Sequence, residues 1–192
     1  MQFDLTNPVY IGSAAVIVLI LVVAIAFSVT KRRRTSAGLR TRFGLEYDRA
    51  VVTHGSERKA EAKLTERESR VEGMTFRELS VTERAHFIAE WQAIQSRFVD
   101  HPKRSVTEAD EIISAVLIAR GYPVADFDRR AADISVNHPR LVEYYRSAHG
   151  VIVRLGKDEA STEDLRTAMI QYRSLFDELL EINFPGGIRA VA

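Results

Sequence analysis

The stretch VYIGSAAVIVLILVVAIAFSV, residues 9–29, decides how this chain is organised, and the run Lys31, Arg32, Arg33, Arg34 follows it almost at once. The stretch contains no charged residue and no proline. At about 1.5 Å of rise per residue, its length gives a helix of roughly 31 Å, close to the hydrocarbon thickness of a bilayer. The sequence therefore predicts a transmembrane helix over residues 9–30, preceded by a short extracytoplasmic tail of residues 1–8.

A cleaved signal peptide is the alternative interpretation of this run. Such a peptide has a positive N-terminal region, a shorter apolar run and a small-residue cleavage site. The residues before the run, MQFDLTNP, carry Asp4 and no lysine or arginine, and four cations come after the run instead. We therefore expect the helix to be retained as an anchor.

The charge on the two flanks predicts the orientation of the anchor. Short flanks rich in lysine and arginine stay on the cytoplasmic side of a membrane, and the basic flank here is the C-terminal one. We expect residues 31–192 to be cytoplasmic. The cations of this flank are explained by topology, and they are also suited to contact anionic lipid headgroups. Ala24 and Ser28 form a small-xxx-small pair, which leaves a homo-oligomer through the anchor as an open alternative.

The composition of the chain excludes several functional classes. Its 192 residues are 46% hydrophobic and 28% charged, as in ordinary folded proteins, and they leave room for one helical domain after the anchor. The formal net charge is +1 and includes the four cations after the anchor, so the remainder is slightly acidic and does not suit nucleic-acid binding. The absence of cysteine excludes disulfides, thiolate zinc sites and cysteine nucleophiles.

Residues 31–79 are predicted to be a basic juxtamembrane region followed by a polar linker helix. The segment SERKAEAKLTERESRVEG, residues 56–73, begins with Ser56 as a good N-cap and is rich in helix formers. Its apolar stripe is thin and consists of Ala60, Leu64 and Val71. A helix this polar buries little surface. We expect a stalk that lifts the next domain off the membrane, with one strand of a coiled coil as the alternative.

Residues 80–183 are predicted to be an antiparallel helical bundle of about four main helices. Ser80 and Glu83 form a capping box at its start. The first helix is expected to bury Val81, Ala85, Ile88, Trp91, Ile94 and Phe98, which follow a helical period. Strand alternation is absent from the sequence, so the predicted fold class is all-α. Residues 184–192 show no period and are predicted to be a disordered tail.

The sequence contains none of the strong catalytic, nucleotide-binding or metal-binding motifs. We therefore predict no catalytic, cofactor-binding or metal-binding residue. His86 and Glu90 have i,i+4 spacing but no further ligands, so a solvated helix face explains them. Helix capping or loop packing explains His138, and a hydrogen bond near the edge of the core explains His149.

The segment ADFDRRAADISVN, residues 125–137, is the candidate partner-binding surface, because it alternates acidic and basic residues on a short helix. Asp133 is grouped with its surface acids, which are expected to form exposed ion pairs. Tyr144 lies off the apolar stripe of its own helix and is expected to be exposed. The residues predicted to contact a protein partner are Asp126, Asp128, Arg129, Arg130 and Tyr144.

Three stretches carry a resemblance to a known group of proteins. They are FGLEYDRAV (residues 43–51), ARGYPVADFDRRAADISVNHP (residues 119–139) and STEDLRTAMIQYRSLFDELL (residues 161–180). The chain resembles small bacterial single-pass membrane proteins with a helical cytoplasmic domain. The resemblance implies a bacterial origin and a place in the inner (plasma) membrane, and it transfers no functional residue.

The function expected from these observations is protein–protein interaction or scaffolding at the bacterial inner membrane. The expected partners are the lipid bilayer and a protein. One alternative is a membrane-tethered enzyme that uses His138 with a nearby carboxylate. The other is a sensor of anionic lipid that uses the basic region of residues 31–42.

Overall fold

The computed structural model of the chain describes residues 20–23, 26, 27, 30 and 35–181. Every regular element within these residues is helical, which confirms the predicted all-α class. Residues 35–43 form the helical segment α1. The helices that follow are α2 (Leu45–His54), α3 (Glu57–Glu72), α4 (Val81–Arg97), α5 (Pro102–Ala119), α6 (Phe127–Asn137), α7 (Pro139–Leu155) and α8 (Thr162–Glu181).

The predicted membrane anchor falls mostly outside the residues that the structure describes. A search of those residues finds no helix with the length and apolar character needed to cross a membrane. The cationic run Lys31, Arg32, Arg33, Arg34 and the predicted tails of residues 1–8 and 184–192 also lie outside them. Within the predicted anchor, the described residues are helical, and the large apolar side chains among them are exposed: Ile20, Leu21, Val22, Val23 and Phe27.

Helices α4, α5, α7 and α8 form a bundle around one apolar core, which confirms the predicted helical bundle. α8 packs against both α5 and α7, and α4 packs against α5. The apolar residues of each helix recur at a helical period, so one face of each helix enters the core. Fully buried side chains at the centre include Val106, Ile113, Leu117, Tyr145 and Tyr172.

The face that α4 turns to the core differs from the predicted one. Three residues predicted to be buried are exposed, namely Val81, Ala85 and Ile88. Trp91 and Ile94 are buried as predicted, and Phe87 is buried in place of Ile88. Both rows follow a helical period and share Trp91 and Ile94, so periodicity alone does not separate them. Trp91 stacks on Phe176 of α8 with ring centroids 4.8 Å apart.

Helices α1, α2 and α3 form a second apolar cluster beside the bundle, which we call the α1–α3 layer. Its buried members from these helices are Leu39, Phe43, Tyr47, Ala50, Ala60, Leu64 and Val71. α3 packs on α2 and also contacts α6. The expectation of a stalk over residues 56–73 is therefore wrong. The stripe of α3 is thin, but it is buried against neighbouring helices instead of facing solvent.

The connector of residues 73–80 fixes the layer to the bundle by crossing the end of α5. Gly121 has a φ of 99°, and a Cβ added there would lie 2.3 Å from the carbonyl oxygen of Thr75. The Arg77 backbone N–H donates to the Arg120 carbonyl oxygen at 3.1 Å. Phe76 packs against both apolar clusters. Only glycine fits at position 121, because both the backbone conformation and the close approach exclude a side chain.

Candidate functional site

An open cleft lies where the start of α6 meets α7 and α2, and we call it the α6–α7 cleft. It has a volume of about 530 Å³. Its lining comes from α2 (Arg49), from the start of α6 (Asp126, Phe127, Asp128) and from α7 (Arg146, His149, Gly150, Val153). The cleft therefore brings together two of the residues predicted to bind a partner, Asp126 and Asp128.

The floor of the cleft is the ring of Phe127, which is held from several sides. It stacks on His149 with ring centroids 3.6 Å apart and planes 7° apart. It also meets Tyr145 at a centroid distance of 4.8 Å, and the Arg146 guanidinium carbon lies 6.0 Å from its centroid. Rings held in this way keep a fixed orientation. The floor is thus a rigid, partly exposed apolar surface.

The rim of the cleft is acidic. Asp126 is the N-cap of α6 and accepts a hydrogen bond from the Arg129 backbone N–H at 2.9 Å. The Asp128 side chain is 89% exposed, and its Oδ1 lies 3.4 Å from Nη1 of Arg146. Acids are favoured in the first turn of a helix because they complement its dipole. The Asp128 carboxylate is therefore stabilised locally and still open to solvent.

The two arginines of the cleft are bound from the inside by Glu46, which is only 2% exposed. Arg146 donates from Nε to Oε1 at 2.8 Å and from Nη2 to Oε2 at 3.2 Å. Arg49 donates to Oε1 as well, and Nη1 of Arg67 lies 3.6 Å from Oε2. A buried carboxylate is tolerated only with such partners. Glu46 therefore holds Arg146 against the inner wall, while Arg49 stays 48% exposed.

Asp133 does not belong to the surface acids of α6, and that expectation is wrong. It is 0% exposed and accepts two hydrogen bonds from Arg70 of α3, at 2.9 and 2.6 Å. Residues 131–136 of α6 are all buried, because this helix lies between α3 and α7. The second half of α6 is thus a structural element, and only its first turn reaches the cleft.

The two predicted arginines of α6 lie apart from the cleft lining. Arg129 is exposed, and Arg130 is half-buried. Arg130 donates from Nη2 to the Ala125 carbonyl oxygen at 3.0 Å, so its guanidinium stabilises the start of α6. Their expected contact with a partner stays a prediction.

Tyr144 is 47% exposed, as its position off the apolar stripe predicts. It precedes Arg146 by two residues and is therefore rotated by about 200° around α7. It shares a face with Ser147, which accepts a hydrogen bond from Gln171 of α8 at 2.9 Å. The structure therefore places Tyr144 on the α8 side of α7 and does not bring it to the cleft.

The histidine of the enzyme alternative, His138, ends α6 and begins α7. Burial, and then the positive charge of Arg120, lower the pKa of its imidazole. Its Nε2 is buried and has no hydrogen-bond partner in the described part of the chain. The charged group that acts on His138 is thus an arginine, whereas a general base is usually oriented by a carboxylate.

His86 and Glu90 form the solvated pair that their spacing predicts. The distance from His86 Nε2 to Glu90 Oε2 is 3.7 Å, and the side chains are 73% and 49% exposed. Among the described residues, no group of three or more histidine, aspartate or glutamate side chains is arranged to bind a metal ion. In that part of the chain, the pair on α4 therefore has no third ligand with which to bind a metal ion.

A hydrogen-bonded group behind the cleft contains the polar contact expected for His149, with partners that its sequence does not predict. Asp110 Oδ1 accepts from the Tyr172 hydroxyl at 2.8 Å and lies 3.5 Å from His149 Nδ1. Burial, and then the charge of Asp110, raise the pKa of Tyr172. These residues come from α5, α7 and α8 and lie far apart in the sequence, so only the fold brings them together. They fix the ring of His149, on which Phe127 rests.

Comparison with known proteins gives no match that could indicate a function, so the proposal below rests on the geometry of the cleft. No family model matches the chain, and no curated protein or solved structure matches it. The resemblance to small bacterial membrane proteins is untested by these comparisons and stays a prediction.

Proposed function

We propose that this chain is a membrane-anchored helical module that docks a protein partner in the α6–α7 cleft. The observation that carries the proposal is the combination of a rigid aromatic floor with exposed carboxylates on the rim. Protein-binding surfaces commonly place an apolar anchoring pocket inside a polar rim. The cleft offers both within one open concavity.

The charges around the cleft indicate the kind of partner. Arg146 is bound by Glu46 and only 16% exposed, whereas Arg49 is 48% exposed. The two rim carboxylates Asp126 and Asp128 therefore outnumber the one arginine of the cleft that faces solvent. Val153, which is 50% exposed, adds an apolar contact beside Phe127. The expected partner segment carries a lysine or arginine next to an apolar side chain, because this pattern complements the rim and the floor.

The proposed anchor is supported by the residues at the N-terminal end of the chain. Helical residues Ile20, Leu21, Val22, Val23 and Phe27 are between 55% and 69% exposed. A row of large apolar side chains is unfavourable in water but favourable in hydrocarbon. The cationic run at residues 31–34 supports a cytoplasmic helical domain by the positive-inside rule.

Site-specific photocrosslinking in intact bacterial cells tests the docking proposal. A photoreactive residue replaces Val153 in the cleft and, as a matched control, Val99, which is 86% exposed at the end of α4. We expect a discrete crosslinked protein at position 153 and not at position 99. Asp128→Lys should lower the yield by about tenfold or more, because it opposes the partner's cation with a like charge.

The charge control for this experiment is Asp100→Lys, which makes the same change at an exposed residue outside the cleft. It should leave the crosslink at position 153 intact. Equal crosslinking at positions 153 and 99, or a crosslink insensitive to Asp128→Lys, would contradict docking in the cleft.

The anchor is tested separately by fractionation and by protease protection. The full chain should stay in the membrane pellet after alkaline extraction, and a variant lacking residues 1–34 should not. A protease added outside sealed cells should leave the helical domain intact. Digestion of that domain from outside would overturn the proposed orientation.

A second candidate function, binding of an anionic phospholipid headgroup, is favoured by one observation. A pocket of about 430 Å³ between α1, α2 and α7 is lined by Arg40, Arg42 and Arg140, together with Asp48 and Glu143. Guanidinium groups suit phosphate. The full chain should then crosslink to a photoreactive phosphatidylglycerol at residues 139–143, and Arg140→Ser should abolish the crosslink. Crosslinking that persists in Arg140→Ser would exclude the pocket.

A further inference from the structure

The junction between the α1–α3 layer and the bundle contains two buried carboxylates beside the connector of residues 73–80. Of the eight buried apolar residues in its cluster, seven come from α1–α3 and one, Val136, comes from α6. Two ion pairs cross the junction, and the carboxylate belongs to the layer in one pair and to the bundle side in the other. Glu46 of the layer binds Arg146 of α7, and Asp133 of α6 binds Arg70 of the layer. Both carboxylates are buried, so breaking either pair would leave an uncompensated buried charge and weaken the junction.

One of these ions also belongs to the α6–α7 cleft. The Arg146 guanidinium uses Nε and Nη2 for Glu46, while its Nη1 lies 3.4 Å from Asp128 on the rim. Arg49 likewise lines the cleft and donates to Glu46. The layer therefore supplies both Glu46 and Arg49 from α2, and Glu46 sets the position of Arg146 in the cleft.

We propose that the α1–α3 layer regulates docking in the α6–α7 cleft, with Arg146 as the side chain that connects them. While the layer is seated, Glu46 holds Arg146 inward, and Asp128 is available to the partner's cation. When the layer lifts, Glu46 and Arg49 leave with it, because both lie on α2. Arg146 then has Asp128 as its neighbouring carboxylate, and the cleft no longer favours a cationic partner.

The coupling acts in both directions. A partner that binds only the cleft with the layer seated stabilises the seated layer by the same factor, because linkage between two sites is reciprocal. The layer is also the part of the fold that follows the proposed anchor directly in the sequence. A change at the membrane therefore has a defined route to the docking surface, through α2 and Glu46.

The role of the cleft in this inference rests on the proposed function, but the coupling is measurable without a partner. The chain contains no cysteine, so Val153→Cys gives the full-length protein a single thiol in the cleft. The ratio of its labelling rates with a cationic and an anionic methanethiosulfonate reports the local charge. Amide hydrogen exchange in the same samples reports whether the layer is seated.

Asp133→Asn opens the junction without changing a residue of the cleft. We expect faster exchange in α2 and α3, unchanged exchange in α5 and α8, and a cationic-to-anionic labelling ratio that falls by about twofold or more. The charges of Glu46 and Arg49 leave together and cancel, so the change comes from Arg146, which then pairs with Asp128 on the rim. Asp177→Asn is the matched control, because it removes an exposed carboxylate paired with Arg173 on the bundle surface. It should change neither measurement.

Two results would overturn the inference. Faster exchange in α2 and α3 with an unchanged labelling ratio would show that the cleft does not respond to the layer. Unchanged exchange in Asp133→Asn would show that this ion pair does not hold the layer.

If Asp133→Asn does not fold, Arg70→Lys weakens the same pair from its more exposed end, where the side chain is 28% exposed. It must give the same two shifts, and the same two contrary results would count against the coupling. Failure of the photocrosslink with success of these measurements would remove the docking function and leave the coupling.

Discussion

The bundle and the α1–α3 layer belong to one helical fold but are stabilised differently. The bundle buries large apolar side chains such as Ile113 and Tyr172 at its centre. The layer has a thin stripe on α3 and relies on the buried carboxylates Glu46 and Asp133 at its junction. The comparison teaches that a polar helix need not project into solvent, because ion pairs with a neighbouring surface can hold it in the fold.

The largest expected effect contrasts the two apolar clusters. Ile113→Ala should lower the free energy of global unfolding by about 4 kcal/mol, because it leaves a cavity in the bundle core. Leu64→Ala should cost about 3 kcal/mol locally and accelerate hydrogen exchange in α2 and α3 alone. Denaturant unfolding measures the global free energy for Ile113→Ala, and hydrogen exchange measures the local effect of Leu64→Ala. Equal acceleration in α5 and α8 by Leu64→Ala would show that layer and bundle unfold as one unit.

The connector between the regions provides the next effect. Gly121→Ala should destabilise the protein by about 3 kcal/mol, because the position combines positive φ with a collision against the Thr75 carbonyl. Gly55→Ala is the matched control, since Gly55 has a φ of 72° but open space around its Cα. It should cost only about 1 kcal/mol. If thermal unfolding shows similar losses of stability for Gly121→Ala and Gly55→Ala, the close approach to Thr75 adds nothing to the cost of the positive φ.

A smaller effect concerns the capping box at the start of the bundle. Hydrogen bonds from Arg77 and from the Ser80 backbone lower the pKa of Glu83 from 4.5 to about 2. The stabilisation from Glu83 is therefore present above pH 4.5 and is lost as the pH falls towards 2. Unfolding free energies measured across this range should fall more steeply for the wild type than for Glu83→Gln. Ser80→Ala should cost about 1 kcal/mol near neutral pH.

The smallest effect separates exposed ions from those at the junction. Arg40 and Glu57 lie 3.2 Å apart, with side chains 60% and 58% exposed. Glu57→Gln should change the unfolding free energy by less than about 0.5 kcal/mol, because solvent screens such pairs. A loss as large as that in Asp133→Asn would remove the distinction between surface and junction ions.

Local signals predicted much of the fold. The Ser80–Glu83 capping box forms as predicted, and Ser56 caps the start of α3 as predicted. The exposure of Tyr144 follows from its position off the α7 stripe. Each of these features depends on residues within about one or two helical turns, which is the range over which sequence patterns act.

The errors arose where distant helices decide the outcome. Glu46 and Arg146 are 100 positions apart, so no local sequence pattern predicts that they form an ion pair. The charged sequence of α6 predicts an exposed helix, but α3 covers the second half of α6, which contains Asp133. The same cause explains the stalk prediction, because the buried faces of α3 are created by the helices that pack on it.

The position of the layer in the chain gives it a mechanical meaning. Residues 35–79 are folded into helices and a connector between the N-terminal segment and the bundle. Fully extended, this stretch would span about 150 Å. A pull applied at the N-terminal end would peel the ion-held layer before it loads the apolar core. In a chain anchored as proposed above, unfolding of the layer alone would therefore lengthen the link to the anchor while the bundle stays folded.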